Sequence, residues 1–139
     1  PAAPAAVANY VPYVRTGDLV FVAGQIPLLN GAIRYPGTVG ADVTLDDAYD
    51  AAKLCGLNLI AQVKAACGGN LDRVTQVVKL TGYVAAGAQF TDHSKVINGA
   101  SDLMVQVFDE AGMHCRAAVG APSLPRGAAV EVEAVFEVA

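Results

Sequence analysis

Hydrophobic and polar positions change period several times along the chain, and each change marks an element. Residues 10–15 and 19–23 are rich in β-branched and aromatic side chains, with Thr16-Gly17-Asp18 between them, which predicts two strands joined by a turn. Residues 24–43 hold four glycines and two prolines and read as a loop with a short strand near Ile33. Thr44 then stands before Leu45-Asp46-Asp47, an N-cap with acids in the first turn, where the helix dipole favours them. Behind this cap Ala48, Ala52, Cys55, Leu59, Val63 and Ala66 recur at steps of three or four, the period of a helix with one apolar face, and Gly68-Gly69 ends it. Residues 74–85 predict a long central strand, broken by Ala86-Gly87-Ala88. A second helix is expected over 92–110, with Val96, Ala100, Leu103, Val107 and Ala111 on its apolar face and Gly112 as its stop. Two closing strands, 116–121 and 130–138, flank a turn through Pro122 and Pro125-Arg126-Gly127.

The resulting order is βββαβαββ, an α+β arrangement of a mixed sheet with two helices packed on one face. The last strand carries most information. Val130, Val132, Ala134, Phe136 and Val138 alternate with Glu131, Glu133, Val135 and Glu137, so the first set should face the helices. The opposite face then mixes carboxylates with apolar neighbours and wants a partner subunit. Residues 9–139 form one domain by size, and residues 1–8, Pro/Ala-rich, are expected to be a poorly ordered tail.

Composition sharpens this picture. The 139 residues are 54% hydrophobic and only 16% charged, a balance that suits a chain burying surface against copies of itself. The apolar run at 19–33 is too short and too interrupted to span a bilayer, so no membrane role is expected and the location expected is cytoplasmic. With a net charge of −4 and scattered basic residues, nucleic-acid binding is not expected. Cys55, Cys67 and Cys115 fit neither a disulfide framework nor a zinc pattern and read as reduced, mostly buried thiols. His114-Cys115 is no nucleophile–base pair, because adjacent strand residues point to opposite faces. Pro1 is a faint candidate for an N-terminal base.

Two stretches resemble a known family. Residues 19–27, ending in Gly24-Gln25-Ile26-Pro27, are similar to the "fSGQIP" segment of RidA (YjgF) proteins. Arg116-Ala117-Ala118-Val119, Leu124-Pro125 and Val130-Glu131-Val132-Glu133 are similar to that family's R-x-x-V…LP…(V/I)E(I/V)E signature. Tyr10 falls where the family has a tyrosine ahead of the glycine turn, and Val96-Ile97-Asn98 where it has "xVN". The resemblance covers nearly the whole chain. It implies a chorismate-mutase-like fold, a homotrimer with pockets between subunits, and hydrolysis of enamine/imine intermediates (2-imino acids) to 2-oxo acids and ammonia. It implies no metal and no organic cofactor.

The implied chemistry suits the residue types. A guanidinium grips a carboxylate bidentately, the role of Arg116; its bland alternative is a salt bridge to Glu131 or Glu133. Glu131 matches the family's acid, which positions water or shuttles a proton. Backbone groups near Gly24 and Ala118 hold the water, Tyr10 closes the pocket, and Asn98 lines it. The chain departs from best-studied members at Ala118, where a Cys is common, and at Ala23, where a Ser is common, which points to a separate branch. Three other functions fit that branch: deamination of a bulkier catabolic enamine of the 2-aminomuconate type, non-catalytic binding of a small carboxylate by a regulatory trimer, and the ribonuclease activity of some relatives. The acidic chain does not encourage the last.

Overall fold

The computed structural model describes residues 2–6 and 8–139; Pro1, the candidate base, lies outside them. Strands β1 (Tyr13–Thr16) and β2 (Leu19–Gln25) meet at a turn where Gly17 takes φ +58°. The first strand begins three residues later than its composition suggests, because Pro12 has no N–H to give a ladder. The loop after β2 contains a small hairpin, β3 (Leu28–Leu29) and β4 (Ala32–Ile33), apart from the main sheet. Four strands therefore precede the first helix instead of three.

Helix α1 (Leu45–Ala66) follows its sequence signals closely. Asp47 N donates to Thr44 Oγ1 at 3.1 Å, and Gly68 and Gly69 end the helix with φ +64° and +94°. Ala48, Ala52, Cys55, Leu59 and Val63 are all fully buried. Strand β5 (Val74–Ala85) comes next, then helix α2 (His93–Phe108) and strands β6 (Cys115–Ala121) and β7 (Val130–Val138).

Helix α2 is shorter than its periodicity predicts. It stops at Phe108, where Asp109 takes φ 54° and a 3-10 turn (Asp109–Gly112) folds the chain back. Gly112 is therefore not the stop; it lies under the helix, where an added Cβ would strike the Met104 carbonyl. Val96, Ala100 and Leu103 are buried as expected, joined by Ile97 and Met104, whereas Val107 on the last turn is exposed and Ala111 belongs to the 3-10 turn. Gly99 packs against the Tyr49 backbone carbonyl, and Tyr49 Oη donates to Asp102 Oδ2 at 2.6 Å, tying the two helices together.

The main sheet runs β1-β2-β7-β5-β6, with β5 and β6 parallel and α2 as their crossover. Both helices cover one face. Val130, Val132, Ala134, Phe136 and Val138 are buried against them, while Glu131, Glu133, Val135 and Glu137 lie on the bare face. Register adds Val14, Phe21, Tyr83 and Val119 to that face, with Phe21 and Val119 each 45% exposed. Cys55 and Cys67 are buried, but Cys115 is exposed on the bare face. Among the described residues no helix is long and apolar enough to cross a membrane.

Candidate active site

Glu131 occupies a cavity at the β2/β7 mouth. The pairing of these strands shifts between Val22 and Gln25, and Gly24 sits in that irregularity. A Cβ at Gly24 would collide with the Glu131 carboxyl, so the bare glycine backbone is what lets that group lie across β2. Glu131 is half-buried, and burial, helped by the neighbouring charge of Glu133, raises its carboxyl above the usual range. Glu133 accepts a 2.6 Å bond from Tyr83 Oη, whereas among the described residues no donor reaches the Glu131 carboxyl. The cavity measures ≈ 260 Å³, and Tyr10, Gly24, Ile26, Arg126 and residues 4–6 line it beside Glu131. A carboxyl that is desolvated and free of internal partners is available to a water molecule.

Arg116 lies elsewhere. It pairs in register with the buried Leu80, so its side chain faces α2, where Nη1 donates to Ser101 Oγ at 3.0 Å and Nη2 to Ser94 O at 3.1 Å. Ser101 is held in turn by His114. His114 Nδ1 is 2.6 Å from the Gly112 carbonyl and must donate to it, so in the neutral ring Nε2 accepts the Ser101 hydroxyl at 2.8 Å. Asn98, exposed on α2, lines the same ≈ 270 Å³ groove. The guanidinium thus rests on neutral acceptors with no carboxylate in salt-bridge reach among the described residues. The salt bridge to Glu131 or Glu133 does not form, because both carboxylates are on the opposite face of the sheet. Ala118, two residues on from Arg116, faces the helices beside Gly82 and packs on the core.

The fold therefore gathers the residues singled out in the sequence into two groups. Tyr10, Gly24 and Glu131 share one cavity, Arg116 and Asn98 share a groove, and the sheet separates them. Sequence reasoning did not find Ser101 and His114 as the seat of Arg116, although Ser101 stands three residues after Asn98 on the same helix side. It also passed over Gln25, Asn58 and Gln62, the buried polar side chains. The signal for the last two was a pair of amides four apart beside the apolar stripe of α1.

Comparison with known proteins agrees with this architecture. Residues 1–137 match a family profile described as "YjgF/chorismate mutase-like, putative endoribonuclease". The chain is 46% identical over 138 residues to the protein TCP17 of Trypanosoma cruzi, covering 99% of this chain and 86% of that one. It is also similar to the crystal structure of Atu1372, a protein of unknown function from Agrobacterium tumefaciens, with TM-score 0.93, 48% identity and coverage of 95% of this chain and 83% of that one. TdcF of E. coli, crystallised with bound serine, is more distant: TM-score 0.66 and 28% identity, over 99% of this chain and 94% of that one.

Proposed function

The chain belongs to the YjgF/chorismate mutase-like family, and on that premise we propose that it hydrolyses 2-imino acids to 2-oxo acids and ammonia at a site shared between copies. The observation that carries this reading is the separation of Arg116 from Glu131. Each is fitted for one half of an imino-acid site, and they sit on opposite faces of one sheet. A neighbouring copy brings the groove of one chain to the Glu131 cavity of the next. The bare face, with its exposed Val14, Phe21 and Val119, supplies the apolar surface for such contact in a homotrimer. A cytoplasmic location fits this chemistry.

In this site Arg116 binds the substrate carboxylate with two parallel hydrogen bonds. Glu131 takes a proton from a water held by backbone groups near Gly24 and Ala118, and the oxygen adds to the C=N carbon. The nitrogen receives that proton and then, through Glu131, the proton of the added hydroxyl, so the C–N bond breaks and ammonia leaves as the carbonyl forms. Water supplies the oxygen and both protons, so no cofactor is required. Tyr10 stands at the cavity mouth and Asn98 beside the guanidinium, both placed to contact substrate. The serine bound to TdcF supports the recognition of a small carboxylate in this fold.

The test is ammonia and 2-oxo acid release from 2-iminopropanoate generated in situ. Wild type should accelerate it, and Arg116→Ala should not. A chain that binds small carboxylates in a titration but turns over neither this imine nor a bulkier enamine of the 2-aminomuconate type would instead be a binding protein. Ribonuclease activity is not favoured by a net charge of −4.

A further inference from the structure

The buried polar side chains Gln25, Asn58 and Gln62 lie together under residues 2–5. Gln62, 1% exposed on α1, donates from Nε2 to the Pro4 carbonyl at 2.6 Å and lies 3.5 Å from Gln25 Oε1. Asn58, one helical turn earlier, gives its amide N–H groups to Ile26 O and Leu28 O. Its fully buried Oδ1 has no partner, beside a ≈ 280 Å³ cavity that residues 2–5 roof.

A buried amide without a partner costs about 1–3 kcal/mol, so a glutamine at this depth is explained only by what it holds. It holds Pro4, whose ring restricts the backbone and lowers the entropy lost on docking. The segment continues over the Glu131 cavity, where Pro4, Ala5, Ala6 and Ala8 form one wall. These side chains are small, apolar and without charge. The groups that can act on Glu131 electrostatically come from other elements: Glu133 on β7, Tyr83 on β5, Cys55 on α1, and Tyr10 and Arg126 at the cavity rim. The segment can therefore influence Glu131 through water and space, not through charge.

We propose that this N-terminal segment is a docked strap, latched by Gln62, that sets the width of the Glu131 cavity and keeps it dry, selecting small imino acids over branched ones. The catalytic consequence rests on the imine-hydrolysis reading; the docking does not. Two variants test it: Gln62→Leu, which removes the latch without altering charge, and a chain lacking residues 1–6 with its new amino terminus acetylated. Glu131 is titrated by 13C NMR of labelled glutamate carboxyls, assigned with Glu131→Gln. The imines of alanine and leucine, made in situ by an amino-acid oxidase, are compared as substrates. In both variants the Glu131 midpoint should move to lower pH, and kcat/KM for the leucine imine relative to the alanine imine should rise about tenfold. A wild-type midpoint and wild-type selectivity in either variant would overturn the proposal. If the unaltered chain hydrolyses neither imine, the proposed function fails, and the titration alone still decides the strap.

Discussion

The two faces of the sheet have been given different tasks. The covered face is a packed core in which Val77, Leu80, Val132 and Phe136 are buried against the helices, and Arg116 lies on it at the β6 edge. The bare face mixes apolar side chains with Glu133, Glu137, Lys79 and Thr81, and carries Glu131 at its mouth. Register makes the division permanent: Arg116 aligns with Leu80 and through it with Ala134, whereas Glu131 aligns with Tyr83 and through it with Val119. No rotamer can bring the guanidinium and the carboxyl together through the sheet. On the proposed imine-hydrolysis reading, one chain thus contains both halves of a site and no complete site.

The sharpest way to break this comparison is to disable one face at a time. Arg116→Ala and Glu131→Gln should each lower kcat/KM for 2-iminopropanoate by about 10²–10³-fold, losing the carboxylate grip and the proton carrier respectively. Mixing the two inactive proteins under conditions of subunit exchange should then restore activity. Random assembly places an intact Arg116 against an intact Glu131 in about a quarter of interfaces, so about a quarter of wild-type activity should return. A mixture as inactive as its components would show that the two halves do not meet between copies.

Within the bare-face half, Gly24→Ala should act more mildly. The added Cβ collides with the end of a flexible carboxylate, so Glu131 moves and the fold does not. The expected result is a loss of about 10–100-fold in kcat with little change in Tm, since small misplacements of a reacting group cost rate rather than stability. An equal loss of Tm would mean that Gly24 serves the strand and not the site.

How much of this was legible beforehand follows the range of the interactions. Helix α1 announced itself through Thr44, its apolar stripe and Gly68-Gly69, all local signals, and β7 through strict alternation. The short strand expected near Ile33 is present as β4, but its partner at Leu28–Leu29 escaped, because a two-residue strand has no period to read. Helix α2 was over-extended because Val107 keeps the apolar angle, and only the reversal at Asp109 shows that the packed face has ended. The partition of Arg116 and Glu131 depends on which strands pair and in what register, which the local pattern does not encode. Gln62 looked like an ordinary polar helix residue, since its partner is a backbone carbonyl 58 residues away.

A stability measurement separates the faces without any substrate. Burial raises the Glu131 carboxyl in the folded chain, so folding is helped by its protonation. That help is complete below the ordinary carboxylate value of 4.5 and is lost as pH rises through the higher folded value. Glu131→Gln removes the desolvated charge, so at neutral pH it should melt above wild type, and the gap should close as pH falls. A gap independent of pH would place the effect in packing rather than ionisation.

The smallest effect belongs to Ala118→Cys. Position 118 lies on the covered face two residues beyond Arg116, beside Gly82 and against the core, so the site can use its backbone while its side chain packs inward. Adding one sulfur atom there should leave kcat/KM within about twofold and shift stability by less than about 1.5 kcal/mol, the tolerance of a near-isosteric core change. What it should add is a thiol packed toward the core, where burial disfavours the thiolate, so labelling by a thiol reagent at neutral pH should stay at the level set by the exposed Cys115. A tenfold fall in turnover would instead mean that the methyl of Ala118 itself shapes the Arg116 groove, and that this half of the site is narrower than its backbone suggests.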